Sequence, residues 1–320
     1  MGTILANNLS AEQLVTVIQN IILVPDVQEA WHLFDGLLNR EAIQARIIEQ
    51  YPDPITRPEL QFRSWLNLSI LTVPGADNPL FAGIRTALLG SIYVLVIVIV
   101  VGFPLGIMAA IYLEEYAGKH WINGLIENNI RNLAGVPSIV YGMLGLQLFA
   151  RALEPFTSGA IFGFTDTSGR TILSAGLTMS LLVLPVVIIN AQEAIRAVPY
   201  SYREASFGLG ATKWQTIWRQ VLPAALPGIL TGTILSIARA VGETAPLIVV
   251  GASTFIVQDP NSLFARFTVL PIQIYNWTIR PQAGFKELAA AAIVVLLVLL
   301  IVLNLFAFIL RNQARRSLQA

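Results

Sequence analysis

The sequence has no cysteine and few charged residues. Only 12% of its 320 residues are Asp, Glu, Lys or Arg, whereas about a quarter of the residues in a soluble domain are charged. Without cysteine, the chain forms no disulfides and offers no thiolate for catalysis or metal binding. Its two histidines, His32 and His120, are far apart and lack the spacing of a metal site. The net charge of +1 gives no indication of nucleic acid as a partner.

Motifs that carry catalysis are also missing from the sequence. It has no G-x-x-x-x-G-K-[ST] phosphate loop, the motif with which many ATPases bind ATP. Its apolar segments contain no Ser/His/Asp set, metal cluster or pair of catalytic carboxylates. We therefore predict a non-catalytic protein that needs no cofactor of its own.

Long apolar segments are what the sequence does contain. Hydrophobic residues make up 55% of the chain, and the mean hydropathy is +0.67. Five segments are long enough to cross about 30 Å of hydrocarbon as helices, which predicts an all-α polytopic membrane protein. These spans are residues 86–113, 132–150, 171–192, 226–250 and 288–310. Residues 1–83 contain no comparable run, which predicts an extramembrane segment.

Arginines after the last span predict the orientation of the chain. Arg311, Arg315 and Arg316 follow residue 310, and basic residues concentrate on the cytoplasmic side of membrane proteins. The tail, residues 317–320, is therefore predicted to be cytoplasmic. Counting back through five spans places residues 199–223 in the cytoplasm and residues 1–83 in the periplasm.

Residues 199–223 are a polar interruption between two spans. Pro199 ends the preceding helix, and Ser201 with Glu204 three residues later predicts a capping box that opens a short helix. Gly208 and Gly210 predict its end, because glycine accepts the left-handed conformation common at helix ends.

A second short helix is predicted to follow this glycine elbow. Thr212 and Gln215 have the spacing of another capping box, and Pro223 is predicted to end the helix. Four apolar residues share one face of it and are expected to be covered by other helices or by a partner: Trp214, Ile217, Trp218 and Val221.

The same segment resembles the EAA loop of the permease subunits of bacterial ABC importers. That pattern is E-A-A, three residues, G, nine residues and I-x-L-P. Ser206 stands in place of the second alanine, and Gln220 in place of the isoleucine. The resemblance implies a coupling helix that docks on an ATPase subunit, with six residues carrying the role: Glu204, Ala205, Ser206, Gly210, Leu222 and Pro223.

Three further stretches narrow the resemblance to the PstA family of phosphate importer permeases: LAGVPSIVYG at 133–142, ARAVGETAP at 238–246 and LPIQIYNW at 270–277. Residues 84–316 are similar to that family, which implies a type I, MetI-like helix bundle in the bacterial inner membrane. The family has six spans, so its first span is missing here, and residues 1–83 correspond to the periplasmic stretch after it.

The resemblance also implies the partners of the chain. They are a PstC-like homologous permease, a PstB-like ATPase dimer that binds the ATP, and a PstS-like periplasmic phosphate-binding protein. Two alternatives within the family are a permease for another oxyanion and the PstC-type subunit itself.

A charged pair interrupts the fourth span. Arg239 lies near its middle and Glu243 follows one helical turn later, although a charge at the centre of a membrane helix costs about 2.5–3.5 kcal/mol. From the residues alone, an internal ion pair and a functional site are equally supported. The resemblance implies that Arg239 serves the permeating anion, that Glu243 orients it and that Ser138 lines the same path. An alternative of another class is a secondary transporter or channel with Arg239 and Glu243 as an ion relay.

Overall fold

The computed structural model describes residues 27–317, apart from residues 32, 54–56, 119, 165–167, 253–255 and 257. The first 26 residues of the predicted periplasmic segment and residues 318–320 of the predicted tail lie outside this range. The described residues form helices and no strands.

Three short helices precede the first long one, and most of the remaining chain is helical as well. Four stretches within the long helices have the wider π-helical turn: Val98–Gly102, Tyr112–Tyr116, Leu148–Ala152 and Ile217–Val221. In chain order the helices are α1 (Leu33–Leu38), α2 (Arg40–Gln50), α3 (Ser69–Thr72), α4 (Arg85–Tyr116), α5 (Trp121–Ala134), α6 (Ser138–Ala152), α7 (Glu154–Thr157), α8 (Ile172–Arg196), α9 (Tyr200–Gly208), α10 (Lys213–Gly242), α11 (Ala245–Val250), α12 (Leu270–Ile279) and α13 (Ala283–Ser317).

Helix α8 lies at the centre of the bundle and packs against α4, α6 and α10. Of its most apolar stretch, 67% is buried within the chain, compared with 29% for α10 and 0% for α13. Met179, Val183 and Val187 of α8 are buried in the main hydrophobic core. A helix that is apolar on all sides fits this central position, whereas α10 and α13 leave wide apolar surfaces uncovered.

Helices α4 and α8 run in the same direction. Gly176 of α8 faces Ile97 of α4, and eleven residues further on Val187 faces Gly106. At the C-terminal ends of the two helices, Arg196 forms an ion pair with Glu114. The chain must therefore return between α4 and α8, and the bent pair α5–α6 is the candidate for that crossing.

The predicted span 132–150 is not one continuous helix. The chain bends by 106° between α5 and α6, at the sequence Gly135-Val136-Pro137. Proline lacks the amide hydrogen that a helix needs, and it disfavours helical geometry at the preceding residue. The hydroxyl of Tyr141 donates to the carbonyl of Leu133 at 2.8 Å. That carbonyl also accepts from the amide of Val136 at 3.0 Å, so Tyr141 adds a further bond across the bend. The predicted span is therefore divided between α5 and α6, and α6 is about 22 Å long.

The predicted span 226–250 has different bounds in the structure. Helix α10 begins already at Lys213 and ends at Gly242, and the short α11 follows after a break. The prediction that Pro223 ends a helix is wrong. Pro223 lies two residues after the π-helical turn Ile217–Val221. This wider turn changes the backbone spacing that would otherwise make the proline ring clash with a preceding carbonyl. The other three predicted spans lie within α4, α8 and α13.

The N-terminal ends of α4 and α8 meet the segment before α12. Arg85 pairs with Asp259 at 2.7 Å, and the amide of Ile172 donates to the carbonyl of Ala265. Helix α12 packs on α13, with Trp277 buried against Phe285. Trp277 is thus a core residue. Tyr275 on the same helix is 54% exposed.

Candidate functional site

The polar segment after α8 folds as a short helix, an elbow and the start of a long helix. Helix α9 begins after Pro199, and its first turn has no side-chain cap. The predicted Ser201–Glu204 capping box is therefore wrong. Because Tyr200 is already helical, Ser201 occupies the second helical position and not the cap, where its hydroxyl would accept from the amide of Glu204.

The elbow and the second capping box form as the sequence predicts. Helix α9 ends at Gly208, and Gly210 has φ +80°, a conformation that costs glycine little and other residues more. The Thr212 hydroxyl accepts from the Gln215 amide at 3.3 Å, and the Gln215 side chain accepts from the Thr212 amide at 2.9 Å. These reciprocal bonds open α10.

An open cleft of about 790 Å³ lies between α9 and the first turns of α10. The hydroxyls of Ser206 and Thr216 are 2.9 Å apart and join the two helices beside it. The cleft is lined by Ser201, Tyr202, Ala205, Ser206, Leu209, Gly210, Ala211, Gln215, Arg219 and Gln220.

The six residues of the EAA pattern do not form one surface. Glu204, Ala205 and Gly210 are exposed on α9 and the elbow, whereas Ser206 is half-buried against α10. Leu222 and Pro223 are half-buried in α10 and belong to the helix bundle. Of the six, Glu204, Ala205 and Gly210 are therefore the members accessible from outside the chain.

The apolar face of the second helix divides into two parts. Ile217 and Val221 are buried in a core cluster that also contains Ile195 and Val198. Trp214 and Trp218 are 58% and 49% exposed, and their rings meet edge to face at 5.2 Å. The expectation that other helices cover this face therefore holds for its aliphatic half, and the two tryptophans remain available to a partner or to lipid.

Two ion pairs connect α8 and α9 to the C-terminal end of α4. Arg203 of α9 binds Glu115, and Arg196 of α8 binds Glu114. The sequence reasoning missed both pairs. The available signal was the adjacent pair Glu114 and Glu115, which lie at a membrane boundary where basic residues were expected.

Arg239 and Glu243 form the predicted pair, but at the end of a helix. The Nε of Arg239 lies 3.6 Å from Glu243 Oε1. Helix α10 ends at Gly242, and Glu243 has an extended backbone, φ −77° and ψ 124°. The Arg239 side chain is 43% exposed, so its guanidinium has donors that Glu243 does not occupy.

Ser138 begins α6, against which α11 packs directly after this break. Gly142 permits that contact, because a Cβ there would lie 2.6 Å from the Cα of Pro246. Tyr141 points to the α5–α6 bend through its bond to Leu133, which is a structural role. Among the described residues, no three His, Cys, Asp or Glu side chains are grouped as metal ligands would be.

Comparison with known proteins also indicates a transport permease. Residues 102–316 match the family model "Binding-protein-dependent transport system inner membrane component". Phosphate transport system permease protein PstA 1 of Mycobacterium tuberculosis is 38% identical over 236 residues, 73% of this chain and 72% of that protein. The PstA protein of Yersinia pestis is 33% identical over 231 residues, 72% of each chain.

A solved structure shares the fold. The inward-facing MetNI methionine ABC transporter matches with a TM-score of 0.51 and 19% identity, over 72% of this chain and 94% of that one. Both the family model and the PstA relatives cover most of the membrane-spanning part described above. The chain therefore belongs to the binding-protein-dependent transport system inner membrane components, as a multi-pass permease subunit of an ABC importer that works with a binding protein and with a separate ATPase that hydrolyses ATP.

Proposed function

We propose that this chain is the PstA subunit of an ATP-driven phosphate importer and forms half of its translocation path. The observation that carries the proposal is the exposed α9 and glycine elbow with the EAA pattern, in a chain 38% identical to a phosphate permease named PstA 1. Its proposed partners are a PstC-like permease, a PstB-like ATPase dimer and a PstS-like phosphate-binding protein.

The elbow segment is the proposed docking site for the ATPase. Glu204, Ala205 and Gly210 are exposed beside an open cleft, a shape that a neighbouring protein can fill. Ser206, Leu222 and Pro223 support this surface from within the bundle. Because the ATPase is cytoplasmic, this role places α9, the C-terminal ends of α4 and α8, and the C-terminus of the chain in the cytoplasm, and residues 1–83 in the periplasm.

Arg239, Glu243 and Ser138 are the proposed lining of the phosphate path. Helix α10 leaves most of its apolar stretch uncovered within this chain, which suits a helix that meets the partner permease. Arginine offers a planar fork of donors that matches the oxygens of phosphate. Arg239 lies near the end of α10, and its Nε is 3.6 Å from Glu243 Oε1. An anion can therefore compete with Glu243 for the guanidinium.

Uptake by proteoliposomes tests the proposed function. The vesicles contain this chain with its candidate permease and ATPase partners, the binding protein is added outside, and ATP is enclosed. We expect ATP-dependent uptake of phosphate in preference to sulfate and molybdate, with arsenate as the closest competitor. Uptake of sulfate or molybdate in preference to phosphate would assign the chain to another oxyanion.

A further inference from the structure

We propose that the ion pair between Arg203 and Glu115 is a positioning contact for transport, because it makes α9 move as one rigid body with the C-terminal ends of α4 and α8. The inference rests on the proposed function, in which α9 receives the motion of the ATPase. It concerns two residues that lie outside the surface that the partner would touch.

Arg203 binds two different elements at once. Its Nε and Nη2 donate to Glu115 Oε1, the carboxylate at the end of α4, at 3.1 and 2.6 Å. Nη1 donates to the carbonyl of Val198 at 3.0 Å, and Nη2 also reaches the carbonyl of Ile195 at 3.2 Å. Ile195 belongs to the last turn of α8, and Val198 to the connection between α8 and α9. One guanidinium therefore connects α9 to both spans.

Burial distinguishes this pair from its neighbour. The side chains of Arg203 and Glu115 are 11% and 9% exposed. Arg196 and Glu114 form a bidentate pair of similar length, but the Arg196 side chain is 55% exposed. Exposed pairs contribute little, whereas a buried pair resists separation because each charge alone would lack both water and partner. The Arg196–Glu114 pair is thus a natural control.

The surrounding contacts join α9 to a unit that is already packed. Helices α4 and α8 are already packed side by side at Gly106 and Val187, so Arg203 adds α9 to an existing unit. On its other side α9 continues into the exposed Gly210 elbow. A displacement of α9 by the ATPase is therefore transmitted to α4 and α8. Rotation at the Gly210 elbow accommodates the resulting change in the angle between α9 and α10.

The first experiment compares substitutions in the reconstituted importer complex. Arg203→Gln with Glu115→Gln removes both charges, so that no unpaired charge stays buried. We expect this double variant to assemble with the ATPase and hydrolyse ATP, while phosphate moved per ATP falls about tenfold or more. Arg203→Lys should fall in between, because lysine keeps the charge but cannot reach all three acceptors.

The matched control is Arg196→Gln with Glu114→Gln, which should stay within about twofold of the parent complex. A 203/115 double variant that transports as efficiently as this control would overturn the proposal. Failure of that variant to assemble would assign the pair to folding alone and would overturn it as well.

The second experiment restores the connection covalently. Because the native chain has no cysteine, Glu115→Cys with Arg203→Cys can be bridged by a bifunctional methanethiosulfonate reagent. We expect transport per ATP to be low before bridging and to return to within about twofold of the parent afterwards. A monofunctional reagent should not restore it. If bridging leaves transport low or lowers it further, α9 must separate from α4 during the cycle and the proposal fails.

The parent complex separates this proposal from the proposed function. Phosphate uptake by the parent tests the substrate, and ratios of variant to parent test the Arg203–Glu115 contact. If the parent takes up no phosphate, the contact is tested by ATP hydrolysis stimulated by the binding protein. The 203/115 double variant should lose this stimulation and the 196/114 control should keep it; stimulation in both would overturn the contact's role.

Discussion

Arg239 is proposed to contact the permeating anion, and its environment supports that role. Its side chain is 43% exposed, and its carboxylate neighbour is 3.6 Å away. Arg203, in contrast, is enclosed and closely bonded to its carboxylate partner. The looser geometry at Arg239 supports contact with a mobile anion.

We expect Arg239→Lys to assemble normally but to reduce phosphate uptake about tenfold or more, because lysine keeps the charge and loses the planar fork. Arg239→Gln with Glu243→Gln should give a complex that forms, hydrolyses ATP and does not move phosphate. Uptake and ATP hydrolysis are measured on the same proteoliposomes. Arg151→Lys, an exposed arginine bonded to Gln147 of its own helix, is the control. Near-native uptake by the double variant would reduce Arg239 to a structural ion pair.

At the scale of elements, the packing of α11 on α6 depends on a small residue at position 142. Alanine there would place its Cβ 2.6 Å from the Cα of Pro246, so the backbone must shift. We expect Gly142→Ala to destabilise the protein by about 1–3 kcal/mol, the usual cost of overpacking. Gly124 of α5 is a helical glycine with nothing within 4 Å, and Gly124→Ala should be neutral or stabilising.

Thermal unfolding of the two purified variants in one detergent checks this difference. The melting temperature should fall for Gly142→Ala and stay equal or rise for Gly124→Ala. A melting temperature for Gly142→Ala equal to that of the native chain would mean that α11 and α6 pack loosely.

The elbow between α9 and α10 requires a glycine for a different reason. Nothing lies within 4 Å of a Cβ at Gly210, but its φ is +80°. Valine there is strained by about 1–2 kcal/mol and should turn α9 away from α10. We expect Gly210→Val, and also the charge reversal Glu204→Lys, to weaken co-purification of the ATPase and its stimulated hydrolysis.

Gly208→Ala is the control for the elbow, because Gly208 is helical and has open space around it. It should leave both measurements unchanged. If co-purification and stimulated hydrolysis survive Gly210→Val and Glu204→Lys, this segment does not couple the permease to the ATPase.

At the scale of the whole molecule, the parallel course of α4 and α8 requires an odd number of crossings between them. Residues 27–317 hold four helices long enough to cross a membrane, or five spans if the bent α5–α6 pair counts as one. The proposed arrangement has five spans, with residues 1–83 in the periplasm and the C-terminus in the cytoplasm. In cells whose outer face is accessible, we expect Ser64→Cys and Ser10→Cys to react with an impermeant thiol reagent, and Ser317→Cys to react only after lysis. The native chain has no cysteine that would obscure the result. Labelling of all three positions only after lysis would place the N-terminal segment in the cytoplasm.

The sequence by itself determined the features that depend on local composition. Long apolar runs become membrane-length helices because the backbone must satisfy its own hydrogen bonds in hydrocarbon, and α4, α8 and α13 include the predicted spans. The Thr212–Gln215 box and the end of α9 at Gly208 also formed as predicted, because capping involves residues only three positions apart. The family resemblance, confirmed by the PstA relatives, likewise rests on short motifs.

Only the tertiary structure decided how prolines and charges act. Pro137 lies at a break between two helices, where the Tyr141 hydroxyl bonds across the bend to the carbonyl of Leu133. Pro223 lies inside a helix packed on α8, and a π-helical turn precedes it. The sequence does not distinguish the environments of Arg203 and Arg239. Arg203 is enclosed by a carboxylate of α4 and by the carbonyls of Ile195 and Val198, whereas the Arg239 side chain is 43% exposed. Residues 115 and 203 meet only because α4 and α8 run parallel, and no local pattern records a contact across 88 residues.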